Sequence, residues 1–292
     1  MPPQPEFLTI GHVARDVQAD GSFSPGGTVA FAALTAHRLG MMSAIVTCAD
    51  SEYIPALTSS LPPEIALRIC PSAETTTFAN QYQNGFRTQH LYARAADIHA
   101  DDVPPDWRDA GVVLLGPLTQ ELDEDMVRLF PRRAGHVLAA TPQGWLRRWD
   151  AAKRVWPTRW RDAERILPLL DVLILSHDDL LPFADGNRAD ADAILAYWST
   201  LVPLLVATDG RHGATLFRSG QVQYFSAYQA QEVDPTGAGD VFAAAFLVSF
   251  YRDRDPERAV DFANCTAAFS IERTGIQGIP TLAQVQQRQF IR

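Results

Sequence analysis

The sequence predicts an α/β fold, a central mainly parallel sheet flanked by helices on both faces with a small β lid. Three observations carry it. Short apolar runs alternate with longer amphipathic stretches, one polar-aromatic segment breaks that alternation, and a glycine-rich turn opens a wholly apolar helix near the end of the chain. Buried strands separated by helices form parallel sheets covered on both faces. The strand candidates are Phe7–Gly11, Ser43–Cys48, Val112–Gly116, His136–Ala140, Val172–Ser176 and Pro203–Ala207.

The break in alternation spans residues 75–95. Asn84-Gly85 is a strong two-residue hairpin signal, because both residues accept positive φ. Phe78, Asn80 and Tyr82 alternate with Thr77, Ala79 and Gln81, so the arms are amphipathic and read as a lid or an ordinary edge hairpin. Residues 145–165 hold four tryptophans among seven basic and three acidic residues. Such interleaving is compatible with nucleic-acid contact. No recognition motif accompanies it, so a solvated helix and loop whose indoles cap the core is the expectation.

Composition bounds the rest. The 292 residues are 47% hydrophobic and 20% charged with net charge −9, ordinary for a globular protein and unlike a basic nucleic-acid binder. Cys48, Cys70 and Cys265 fit neither a zinc site nor a disulfide framework. The N-terminus lacks a basic segment followed by an apolar run, and no apolar stretch is long enough to span a bilayer. A cytoplasmic protein, monomeric or homodimeric, is expected, with no membrane or nucleic-acid partner.

The chemistry concentrates in Asp234-Pro-Thr-Gly-Ala-Gly-Asp240, followed by an alanine-rich apolar stretch to Phe250 that reads as a buried helix. Unpaired N–H groups and a positive dipole end lie at such a helix start, and Gly237 and Gly239 let that backbone approach an anion. Asp240 beside it is a candidate general base, or simply a helix cap. A nicotinamide-binding reading fails, since Phe242 stands where a third glycine belongs.

That string resembles the C-terminal signature of the ribokinase-like (PfkB) carbohydrate kinases. Gly26-Gly27 with the stretch to Leu39-Gly40 resembles their N-terminal signature. Gly11-His-Val-Ala-Arg-Asp16 resembles the segment carrying a substrate-binding aspartate, and Thr208-Asp-Gly-Arg-His-Gly213 a nucleotide-side turn. The resemblance implies one ribokinase-like domain over residues 1–292 with lid segments near 12–25 and 75–95, and an ATP- and Mg2+-dependent kinase acting on a small sugar, sugar acid or cyclitol such as myo-inositol. It implies that Gly237, Ala238 and Gly239 form an anion hole and that Asp240 is the base. Asp16, Gly26, Gly27, Phe31, Asn80, Arg94 and Gln143 would surround the substrate. Ser176, Thr208, Gly210, Gly213, Asn264 and Ala268 would surround the nucleotide. Asp179 would meet magnesium through water, and Asp234 and Thr236 resemble positions around a monovalent cation, K+, in many relatives.

The chain departs from the family pattern twice. Phe31 replaces an asparagine, offering a ring face where relatives make a polar contact, and Ser176 with Asp179 replaces an Asn-x-x-Glu motif. Tyr92-Ala-Arg94 resembles sugar-acid kinases, whereas Gln143-Gly144 resembles relatives that include cyclitol kinases. A nucleoside kinase and a non-catalytic ligand-sensing relative are the alternatives.

Overall fold

The computed structural model describes residues 4–17, 22–83, 86–184 and 186–291, with side chains of 80–88 left aside. The Asn84-Gly85 turn lies outside the described residues. Fifteen strands follow in chain order: β1 (Phe7–Ile10), β2 (Ala14–Val17), β3 (Phe23–Gly26), β4 (Ser43–Ala49), β5 (Ala66–Pro71), β6 (Thr77–Gln83), β7 (Phe86–Ala93), β8 (Val112–Leu115), β9 (Val137–Ala140), β10 (Arg147–Trp149), β11 (Val155–Pro157), β12 (Val172–Ser176), β13 (Leu204–Thr208), β14 (Ala214–Arg218) and β15 (Gln221–Phe225). The helices are α1 (Thr28–Arg38), α2 (Ile54–Ser60), α3 (Glu124–Arg128), α4 (Ala163–Ile166), α5 (Arg188–Trp198), α6 (Ala238–Asp253), α7 (Pro256–Ser270) and α8 (Leu282–Ile291).

Nine strands form the central sheet in the order β15-β14-β13-β12-β9-β8-β1-β4-β5. From β13 to β5 every pairing is parallel, and β14 and β15 close one edge antiparallel. The six strand candidates all belong to this sheet, each within a residue or two of its observed ends. Their continuous apolar runs follow from burial on both faces. One face carries α1, α6 and α7. On α6 every residue from Val241 to Ser249 is buried, which explains an apolar helix without a polar stripe.

A separate four-stranded sheet, ordered β3-β2-β6-β7, stands beside the large one. β2 pairs antiparallel with β3 and parallel with β6, and β6 with β7 antiparallel, so segments 14–26 and 77–93 form one body. Residues 145–165 differ from the helix and loop expected of them. They form the antiparallel ribbon β10-β11 and the short α4. Trp145 and Trp160 are buried and stacked with ring centres 4.8 Å apart, and Trp198 meets Trp160 edge-on. Two of the four indoles in this stretch therefore serve the core.

Where β1 and β8 end, a buried carboxylate ties their loops together. Glu121 accepts from the backbone N–H of His12 (2.9 Å), Leu118 (2.9 Å) and Thr119 (2.7 Å), with His12 Nδ1 3.8 Å away. Desolvation works to raise its pKa, but His12 and these N–H donors together hold it below the usual carboxylate value. A carboxylate depressed in the fold stabilises above its unfolded pKa and loses that contribution as pH falls through the folded value. Glu121→Gln is expected to cost about 1–3 kcal/mol at pH 7 by leaving buried donors poorly matched. In chemical denaturation the gap from wild type narrows below about pH 4.3, where the unfolded carboxyl protonates.

Candidate active site

The C-terminal ends of the parallel strands converge on one edge of the sheet, the usual ligand edge of open α/β folds. Gly11 and His12 follow β1, Gly116 follows β8, Gln143 sits in the turn after β9, and Ser176 and Thr208 are register partners ending β12 and β13. Against this edge stand the first turns of α1 and α6.

Gly237 is the N-cap of α6 and has left-handed backbone (φ 77), which glycine adopts without steric cost. A Cβ there would lie 2.4 Å from the Phe31 ring. Phe31 thus packs beneath the turn, and at 4% exposure it has little surface for a ligand, unlike the open ring face expected from its position in the signature. Asp240 is in the first turn of α6 rather than at its cap, so the capping reading does not hold. Its side chain hydrogen-bonds to Thr28, the first residue of α1.

Asp240 has the decisive electrostatics. The residue stays partly open to the cleft while protein encloses its carboxyl. Desolvation pushes the pKa up from 3.8 to about 6; Thr28 and Arg147 oppose the rise, and Asp179 and Asp16 add to it. Three acidic residues from β2, the turn after β12 and α6 therefore share one field with Arg147 from β10. Asp179 is raised as well, first by burial, against the Ser176 N–H and Arg147. Its Oδ2 accepts from Ser176 N–H at 3.0 Å while Ser176 Oγ accepts from Asp178 N–H, a reciprocal cap that aims the turn.

On the opposite side of the cleft lies Asp16. Its Oδ2 occupies the space a Cβ on Gly26 would fill, at 2.1 Å, so glycine is required for that carboxylate to lie flat on β3. Gly27 caps α1 with φ 94. Gln143 is half-buried beside Gly144, whose N–H donates to Pro117 O at 2.8 Å. Asn80 lies on β6 opposite Gln89.

Other expected site residues are engaged elsewhere. Arg94 donates to Thr119 O at 3.0 Å, pairs with Asp97 and lies over Trp149. Asn264 and Ala268 are buried on α7, and Asn264 Nδ2 donates to Ser226 O at 3.4 Å. Thr208 Oγ1 donates to Leu175 O, and Gly210 and Gly213 take positive φ in the following turn. Asp234 accepts from Thr236 N–H (3.0 Å) and Gly275 N–H (2.9 Å), which hold its pKa low despite desolvation. Arg147 and Thr28 were not singled out in the sequence. Arg147 stands among many basic residues of the tryptophan-rich stretch, and its approach to Asp240 depends on how β10 folds back.

Residues 149–282 match the model of the pfkB family carbohydrate kinases. That match covers a little under half of the chain. Fructokinase-2 of Zea mays is 29% identical over 172 residues, covering 53% of this chain and 51% of that protein. The chain thus spans about half the length of the first curated relatives it matches. A nucleoside kinase of Methanothermobacter thermautotrophicus is 24% identical over 97% of this chain and 95% of its own. Among solved structures, a pyrophosphate-dependent kinase in the ribokinase family, complexed with a pyrophosphate analogue and myo-inositol, superposes with a TM-score of 0.80 at 23% identity, covering 97% of this chain and 99% of that one. The fold is ribokinase-like, and the PfkB match includes Asp179, Gly237 and Asp240.

A carboxyl raised in the fold binds its proton more tightly there than when unfolded, so its contribution to stability falls as pH rises between about 3.8 and 6 and is level above. Asp240→Asn removes that burden. The variant is expected to match or exceed wild type in Tm at pH 7.5 and to lose the advantage at pH 4. A Tm well below wild type at pH 7.5 would mean that the carboxylate is a structural element.

Proposed function

We propose that the chain is a kinase that transfers a phosphoryl group to a hydroxyl of a small sugar or cyclitol. The observation that carries this is Asp240, a carboxyl raised to about 6 in the first turn of α6, sharing its field with Arg147, Asp16 and Asp179. A base with a pKa near the working pH takes a hydroxyl proton efficiently. The acceptor oxygen, losing its proton to Asp240, attacks the terminal phosphorus of the donor in line as the bond to the leaving phosphate breaks. Backbone N–H groups of 237–239 and the Arg147 guanidinium hold the charge that develops. Asp16 and Gln143 orient the acceptor's other hydroxyls, and the small sheet covers them as a lid. Asp179 suits magnesium through water, an ion that would neutralise donor phosphates.

ATP is the leading donor, with its phosphates at 237–239 and its nucleoside toward the Thr208–Gly213 turn. One observation favours pyrophosphate as a second reading. Asn264 and Ala268, where adenine recognition was expected, are buried, and the adjoining segment is pinned by Tyr228 to Asp261 (3.0 Å) and by Arg288 to the Gln229 carbonyl. A donor without a base needs no such slot.

Phosphate transfer from ATP or pyrophosphate to myo-inositol, fructose, a sugar acid and adenosine tests both readings. Product is expected with a polyol, and preference for adenosine would establish the nucleoside alternative. Binding of a polyol with no transfer from either donor would make the chain a sensor. With the best pair, Asp240→Asn should lower kcat by about 10²- to 10⁴-fold, and wild-type kcat should fall as pH drops through about 6. Arg147→Met should lower kcat by about 10- to 1000-fold, the range for losing one charge-stabilising group. Near wild-type turnover in Asp240→Asn would sink the mechanism.

A further inference from the structure

A cavity of about 690 Å³ opens at the far edge of the central sheet, remote from the candidate active site. Its accessible apolar lining comes from Pro168, Leu201, Pro203 and Phe250, beside the starts of β9 and β13. Arg132, Arg218 and Arg254 line it against a single carboxylate, Asp171. That balance is unusual on a chain of net charge −9.

The three arginines are held differently. Arg132 Nε donates to Asp171 Oδ1 at 2.8 Å, while Asp171 Oδ2 accepts from Leu138 N–H at 2.9 Å, so this carboxylate is already engaged on both oxygens. Arg254 follows α6 in left-handed backbone, donates to the carbonyls of Gly135 and His136, and lies over the Phe250 and Tyr251 rings. Arg218, the last residue of β14, makes no side-chain hydrogen bond or ion pair among the described residues. A lone exposed arginine is ordinarily just solvated. Here the free guanidinium lines a concavity with accessible apolar residues and two further guanidinium groups, and the volume suits a metabolite-sized ligand.

We propose that this cavity binds a small phosphorylated metabolite. The phosphate takes paired N–H bonds from Arg218, and the carbon skeleton rests on Leu201, Pro203 and Phe250. Guanidinium matches phosphate through parallel N–H bonds, and three arginines against one carboxylate leave the cavity net positive for a dianion. The site does not depend on the phosphotransfer reading. It does have a physical route to the other edge. β12 begins beside the cavity and ends at Ser176, roughly 13–17 Å away. α6 carries the chain from Asp240 to Asp253, just before Arg254, a rise of about 20 Å.

Hydrogen exchange of the full chain with inorganic phosphate, fructose 1,6-bisphosphate or plain fructose tests the proposal. The two phosphate probes, but not fructose, are expected to protect residues 199–204 and 250–256, with affinity falling as salt rises. Arg218→Gln should keep the wild-type Tm, having no partner to lose, and weaken that protection about tenfold or more, as expected for one charge-assisted hydrogen bond. Arg218→Lys should restore part of it. Protection confined to 208–213 and 237–240 would locate phosphate only at the α6 start and overturn the proposal. So would absence of protection, or protection at 199–204 that is indifferent to Arg218→Gln.

Discussion

The site depends on the junction between the first turns of α1 and α6. Phe31 fills the space beneath Gly237, and Thr28 holds the Asp240 carboxyl. These contacts join segments more than two hundred residues apart. A side chain on residue 237 would collide with the ring, so glycine and Phe31 are fixed together. The Thr28 bond gives a buried carboxyl one partner without neutralising it. That combination leaves Asp240 ionisable near neutrality rather than permanently charged or permanently protonated.

Two buried carboxylates illustrate how environment sets opposite behaviour. Glu121 is surrounded by N–H donors and a histidine ring, so its charge is satisfied and its pKa is held low. Asp240 faces desolvation and two other carboxylates, with Thr28 and Arg147 in partial compensation, so its pKa rises. The first arrangement braces the loops after β1 and β8. The second leaves a carboxyl that titrates nearer neutrality in the first turn of α6. The two behaviours fall on different carboxylates at neighbouring points of one sheet edge.

The small sheet supplies the second wall of the cleft. β2 carries Asp16 and pairs on one side with β3, whose Gly26 makes room for that carboxylate, and on the other with β6. β3 runs directly into α1, so the small sheet is continuous with Gly27 and with Thr28, the partner of Asp240.

The amino-acid sequence by itself determined the parallel sheet, since uninterrupted apolar runs admit burial on both faces and little else. It also marked Gly237, Gly239 and Asp240, although such a string alone is equally a capped glycine turn, and the resemblance to a family signature separated the two. It could not settle residues 145–165, where indoles suit a capped helix and a β ribbon alike. Nor could it reveal that Phe31 turns inward beneath Gly237, that Arg94 is spent on Thr119 and Asp97, or that Arg147 reaches Asp240. Those outcomes belong to the tertiary structure. Local pattern specifies which residues are buried, whereas the partner of a buried charge is set by strands and helices that meet only when the chain is folded.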